Sequence, residues 1–105
     1  MRFVTYDVAI EVARGMQQPL AAMRRYRASL ADQCRRALES VVLNIAEGHG
    51  RYGDDRTRFF AIALGSLREV DAAIELACMG GAFDEPPMAA ARDRLGGLLW
   101  PQAHK

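Results

Sequence analysis

Lysine is nearly absent from this chain: 13 of its 14 basic side chains are arginine, and 13 acids almost balance them, leaving a formal net charge of +1. A charge so near zero argues against binding nucleic acid through the field of the whole surface, so any such role needs a local cluster. Long apolar runs are missing as well. None approaches the roughly 18 residues that cross a bilayer. In the opening MRFVTYDVAIEV, Asp7 and Glu11 interrupt the apolar segment that a signal peptide requires. The expectation is a cytoplasmic protein with no membrane partner. Cysteine is limited to Cys34 and Cys78. Both fall at positions that read as helix core, where a thiol acts as a small hydrophobe and a reducing compartment leaves it free of disulfides. Repeats, low-complexity tracts and linkers are also absent, and 105 residues read as one domain, 1–105.

What is present favours helix. Half the residues are hydrophobic and 26% charged, with many Ala, Leu, Arg and Glu and few β-branched clusters, which suits an all-α fold. Four helices are expected. The first runs from Thr5 to about Arg25, with Pro19, which lacks a backbone donor, kinking or interrupting it. Ser29 and Asp32 have the spacing of an N-terminal cap for a second helix from about Leu30 to Glu47, with a core stripe of Leu30, Cys34, Ala37, Leu38, Val41 and Ile45. Gly48, Gly50 and Gly53 supply the permissive backbone that stops it. Asp54 or Asp55 then caps a third helix, from about Arg56 to Met79, about 36 Å long at 1.5 Å per residue. Gly80 and Gly81 end it. Asp84, Pro86 and Pro87 lead into a last helix from about Pro87 to Trp100, weakened by Gly96 and Gly97. Short turns between successive helices favour an up-and-down antiparallel four-helix bundle.

The first helix is too apolar for one buried face. Tyr6, Val8, Ala9, Ile10, Val12, Ala13, Met16, Leu20 and Met23 cover well over half of its wheel, whereas a bundle helix needs an apolar stripe only somewhat wider than about 100°. The surplus suggests burial against another copy of the chain.

The second helix raises the opposite question, because SVVLNIAEGHGRYGDD places polar groups beside an apolar stripe. Arg36, Ser40, Asn44 and Glu47 share one side of it, and Ser66 and Glu69 lie within or beside the apolar arc of the third. An antiparallel hairpin brings Ser40 near Ser66 and Arg36 near Glu69, with Gly65 letting the backbones approach. These groups are expected to hydrogen-bond across the pair and set its register, since a half-buried polar group left unpaired costs about 1–3 kcal/mol.

Read together, QCRRALES at 33–40, NIAEGHGR at 44–51 and FFAIALGSLREVDAAIELA at 59–77 resemble the bacterial four-helix-bundle proteins encoded in intervening sequences of 23S ribosomal RNA genes, a family related to the accessory variability proteins of diversity-generating retroelements. The resemblance implies a four-helix bundle and a homopentameric, ring-like assembly. For the retroelement members it also implies binding of RNA or DNA, together with a reverse transcriptase, through a basic surface.

No recognisable chemistry competes with a binding role. Glu47 and His49 lack the Glu-x-x-His spacing of a di-metal bundle, His104 sits in the tail, and both histidines are expected to be solvent-exposed. Neither Cys34 nor Ser66 has a histidine at helical spacing to act as its base. GHGRYG lacks the Gly-Lys-Ser or Gly-Lys-Thr ending of a phosphate-binding loop. No metal, cofactor or enzymatic activity is expected. The arginines are the remaining signal: residues 24–58 hold eight arginines against five acids, a local net of +3. Arg24, Arg25, Arg27, Arg35, Arg51, Arg56 and Arg58 are the candidate phosphate contacts, because a planar guanidinium engages two oxygens at once. Tyr26 is the aromatic among them that could stack on a base. A ring of five copies would repeat the cluster. The expectation is therefore a non-enzymatic homo-oligomeric scaffold that binds RNA or DNA; the alternative is a protein-interaction scaffold whose arginines pair with acids on a partner or a neighbouring subunit.

Overall fold

A computed structural model describes residues 3–105 and contains five α-helices, with no strand among the described residues. They are α1 (Val4–Gly15), α2 (Gln17–Tyr26), α3 (Ala28–His49), α4 (Gly53–Met79) and α5 (Ala89–Ala103). The molecule measures 42 × 21 × 18 Å, and α4, at about 1.5 Å per residue, spans nearly its whole length.

The expected first helix is two helices. The break falls at Met16, three residues before Pro19, because Pro19 has no N–H to give the carbonyl of Gly15 and its ring crowds that carbonyl. The bonds on either side survive: Met16 N–H donates to Val12 O at 2.9 Å and Leu20 N–H to Met16 O at 2.8 Å. The Met16 side chain is fully buried, so the break is anchored in the core.

Packing follows chain order. Helices α3 and α4 form the most extensive pair, α5 lies against α4 and α1, and α1 and α2 both lie against α3. The expected α3 stripe of Leu30, Cys34, Ala37, Leu38, Val41 and Ile45 is buried throughout. On α4, Phe60, Ala63, Leu67, Val70, Ile74 and Ala77 are buried and Phe59 is half-buried. Both thiols are unpaired, and burial pushes the Cys34 pKa up to about 11.

The helix ends differ from expectation in four places. Helix α3 runs through Gly48, which is buried within it, to His49, so the stop falls at its C-cap Gly50 and not at Gly48. Helix α3 starts at Ala28 with Arg27 as its N-cap and no side-chain cap bond. Asp32 instead holds Arg24 across the α2–α3 corner, so the carboxylate serves tertiary packing. Helix α4 starts at Gly53, which has φ +59°, and neither Asp54 nor Asp55 caps it. Their charge still favours the first turn. Helix α5 is entered through Met88 in a left-handed conformation and continues past Trp100 to Ala103. At the end of α4 the glycines act as expected. Gly80, Gly81 and Ala82 N–H groups take up the carbonyls of Leu76, Cys78 and Ala77 at 3.1, 3.0 and 2.9 Å, with Gly81 at φ +86°, a Schellman ending.

The apolar surplus on the first rod is only partly covered. Val8, Ala9, Val12, Met16 and Met23 are buried, while Tyr6, Ile10, Ala13 and Leu20 are half-buried. Ile10, Ala13 and Leu20 meet Leu38, Val42 and Leu43 of α3 along an open groove of about 430 Å³, and Leu43 is 68% exposed.

Candidate nucleic-acid interface

The polar residues of α3 and α4 form one short chain of bonds. Ser40 Oγ lies 2.8 Å from Ser66 Oγ, and Asn44 Nδ2 donates to Ser40 O at 2.8 Å and to Ser40 Oγ at 3.0 Å. Ser66 is buried and Ser40 half-buried, so the pair satisfies a hydroxyl largely withdrawn from water. Two expected members stand outside it. Arg36 and Glu69 are both exposed, and no ion pair joins them among the described residues. An exposed pair of long side chains gains little to offset its loss of freedom. Glu47 binds Arg51 at 2.6 Å, closing the end of its own helix instead of reaching across to α4. Gly65 was expected between the backbones, yet space beside its Cα is open. Gly48 takes that part: a Cβ there would meet the Phe60 ring at 3.2 and 3.3 Å.

The candidate arginines divide into two groups. Arg24, Arg25 and Arg27 surround the α2–α3 corner, with Arg35 two turns into α3. Arg51, Arg56 and Arg58 lie beyond the far end of α3. The 22 residues of α3 separate the groups by roughly 33 Å at 1.5 Å per residue, so one protomer does not bring them together.

They also differ in how far acids occupy them. At the far end Arg51 bridges Glu47 and Asp55, and Arg58 binds Asp55 at 2.9 Å. These contacts raise the Arg51 pKa, Glu47 being the main cause, and the Arg58 hydrogen bond leads in lowering that of Asp55. Arg51 and Arg58 also lie over the Phe59 ring, 5.4 and 4.5 Å from its centre. Arg35 binds Glu39 at 3.2 Å. At the corner Arg24 is held by Asp32, whereas Arg25 and Arg27 are exposed and form no ion pair among the described residues. Arg27 is the extended residue joining α2 to α3, and its guanidinium lies 5.7 Å from the centre of the Tyr26 ring.

Tyr26 is seated by a residue far away in sequence. A Cβ on Gly80 would collide with the Tyr26 hydroxyl and ring, so the bare end of α4 is what lets the ring lie there. The carbonyls at that end are already bonded by Gly80, Gly81 and Ala82, which mutes the negative pole of α4 beside the arginines. The start of α3, on the other side of the corner, has no side-chain cap among the described residues, which leaves its positive pole available there.

The family described as 23S rRNA-intervening sequence protein matches residues 4–96, from the start of α1 into α5. The chain belongs to this family. No curated protein and no solved structure matches it. The matched span of this 23S rRNA-intervening sequence protein takes in every arginine and every polar residue considered above.

Both histidines of this family member were expected in solvent, and His49 is not. It is half-buried, stacked on Phe3 with ring centres 4.0 Å apart and set edge-on to Phe60 at 5.2 Å. Arg56 Nη2 lies 3.4 Å from its Nδ1. A guanidinium only donates, so Nδ1 accepts and the proton sits on Nε2, which is buried without a hydrogen-bond partner among the described residues. Burial, then the Arg56 cation, lower its pKa. His104 is exposed, 3.6 Å from the Trp100 ring. No cluster of three or more His, Cys, Asp or Glu groups suited to a metal occurs among the described residues, and no helix is long and apolar enough to cross a membrane.

Sequence reading also passed over Arg68, which lies 5.9 Å from the centre of Trp100, and Tyr52, exposed at the α3–α4 turn. The aromatic beside arginine in RYG was a visible signal for Tyr52. Nothing local marks Gly80 as the seat of Tyr26.

Proposed function

We propose that this 23S rRNA-intervening sequence protein is a non-enzymatic scaffold that binds RNA or DNA at the α2–α3 corner. The observation that carries the reading is the pair of exposed guanidinium groups, Arg25 and Arg27, with no carboxylate partner among the described residues, on either side of Tyr26. Arginines that already hold acids must exchange one anion for another to bind phosphate, whereas these two need not.

In this reading α1 and α2 act as one interrupted rod of an up-and-down antiparallel four-helix bundle. Copies associate through the apolar groove of Ile10, Leu20, Val42 and Leu43 into a cytoplasmic ring, a pentamer by family resemblance. Repetition around the ring multiplies a corner whose single-copy charge is small.

The test is binding of labelled RNA and DNA across a salt series. Affinity should fall as salt rises, and changing Arg25 and Arg27 together to Ala should weaken binding and flatten the slope by about 0.7–0.9 per lost contact. Absence of affinity at low salt would overturn the reading and leave the protein-interaction scaffold, in which the same two guanidinium groups receive acids of a partner.

A further inference from the structure

Tyr26 offers a partly exposed ring beside the Arg27 guanidinium, and a duplex keeps the faces of its bases stacked away from such a ring. We infer that Tyr26 is a stacking platform for an unpaired base, and that the protein therefore selects single-stranded or looped nucleic acid over duplex; this rests on the nucleic-acid reading above.

Three observations carry it. Tyr26 is 40% exposed although its hydroxyl end is docked on Gly80, so the ring is held in place without being hidden. A platform seated in this way loses little side-chain freedom when a base arrives, which is what makes stacking on aromatic residues productive. Arg25 and Arg27 flank Tyr26 in the chain, and the Arg27 guanidinium lies 5.7 Å from the ring centre, so cationic groups that can follow a backbone accompany an aromatic face that can take a base. Finally, the corner is abrupt: α2 ends at Tyr26, one extended residue follows, and α3 begins. Paired bases keep their faces inside the stack, so a duplex offers the Tyr26 ring no face to stack on.

The position of Gly80 follows from the same geometry. Its φ of −82° suits any residue, and the backbone does not call for glycine. The absent side chain matters because of Tyr26, which makes Gly80 a positioning residue for the platform.

The experiment compares a labelled oligouridylate with a hairpin duplex of matched charge, by fluorescence anisotropy at low salt. Wild type, Tyr26→Phe, Tyr26→Ala and Gly80→Ala are measured, with thermal unfolding confirming that each variant folds. Wild type should prefer the single strand. Tyr26→Ala should weaken single-strand binding about tenfold, in the range for loss of one stacked base, and leave the duplex unchanged. Tyr26→Phe should retain the preference, and Gly80→Ala should lose it in the same direction as Tyr26→Ala. Equal affinity for both probes, or a Tyr26→Ala loss shared by both, would overturn the platform while leaving nucleic-acid binding intact. No binding of either probe by wild type would instead overturn the parent reading, and the platform with it.

Discussion

Ser40 on α3 and Ser66 on α4 join hydroxyls at 2.8 Å across the longest helix pair of the molecule. With Asn44 donating to Ser40, they form a polar peg in an otherwise apolar seam. Ser66→Ala should cost about 0.5–1.5 kcal/mol in urea unfolding, the usual net worth of such a bond. Combining it with Ser40→Ala should cost less than the sum of the single changes, since either alone removes the shared bond. Additive losses would show that the bond contributes nothing to the pairing.

Gly48 and Gly65 should respond in opposite directions to alanine. Both lie inside helices, where alanine is favoured by about 1 kcal/mol. Gly65 faces open space, so Gly65→Ala should raise stability by about 0.5–1 kcal/mol. At Gly48 the new methyl meets the buried ring of Phe60; overpacking of this kind costs about 1–3 kcal/mol, and Gly48→Ala should be destabilising. Urea midpoints at constant slope decide both.

His49 should make stability sensitive to mild acid. Its folded pKa lies below the ordinary value of 6.5, so below that pH the unfolded chain binds a proton that the folded protein resists. Stability is therefore level above about pH 6.5 and falls as the pH drops through it, because protons then favour the unfolded state. His49→Phe keeps an aromatic between Phe3 and Phe60 and removes the titration. Its urea midpoint should be flat between about pH 7 and 5.5, where the wild type declines. An equal decline in both would place the effect elsewhere.

Light scattering should give a mass several times the 11.6 kDa of one chain. Leu43→Asp, placed in the open groove, should lower that mass without unfolding the chain, because Leu43 is largely exposed in one copy. A wild-type monomer would remove the ring and the multiplication of charge that comes with it.

The helical pattern, the stops at the α3–α4 turn and at Gly80–Gly81, the buried stripe of α3 and the meeting of Ser40 with Ser66 were all readable in the chain. Each depends on local periodicity, or on the single constraint that two long helices joined by a short turn run antiparallel. The interruption of the first rod was readable too, although the break lies three residues before Pro19, where the missing bond is felt.

The availability of the arginines was not readable. Charge counting treats residues 24–58 as one basic segment, but α3 is a rigid spacer that holds Arg27 and Arg56 at opposite ends of the molecule. Asp32, Glu39, Glu47 and Asp55 then neutralise particular neighbours according to side-chain reach. The exchange of roles between Gly65 and Gly48, the enclosure of His49 by Phe3 and Phe60, and the seating of Tyr26 on Gly80 share one cause. Sequence alone determined which segments are helical and which faces are apolar, because those follow from contacts within a few residues. The tertiary structure decided which polar groups are left free to bind, because that depends on neighbours distant in the chain, 54 positions apart in the case of Tyr26 and Gly80, and only packing brings those together.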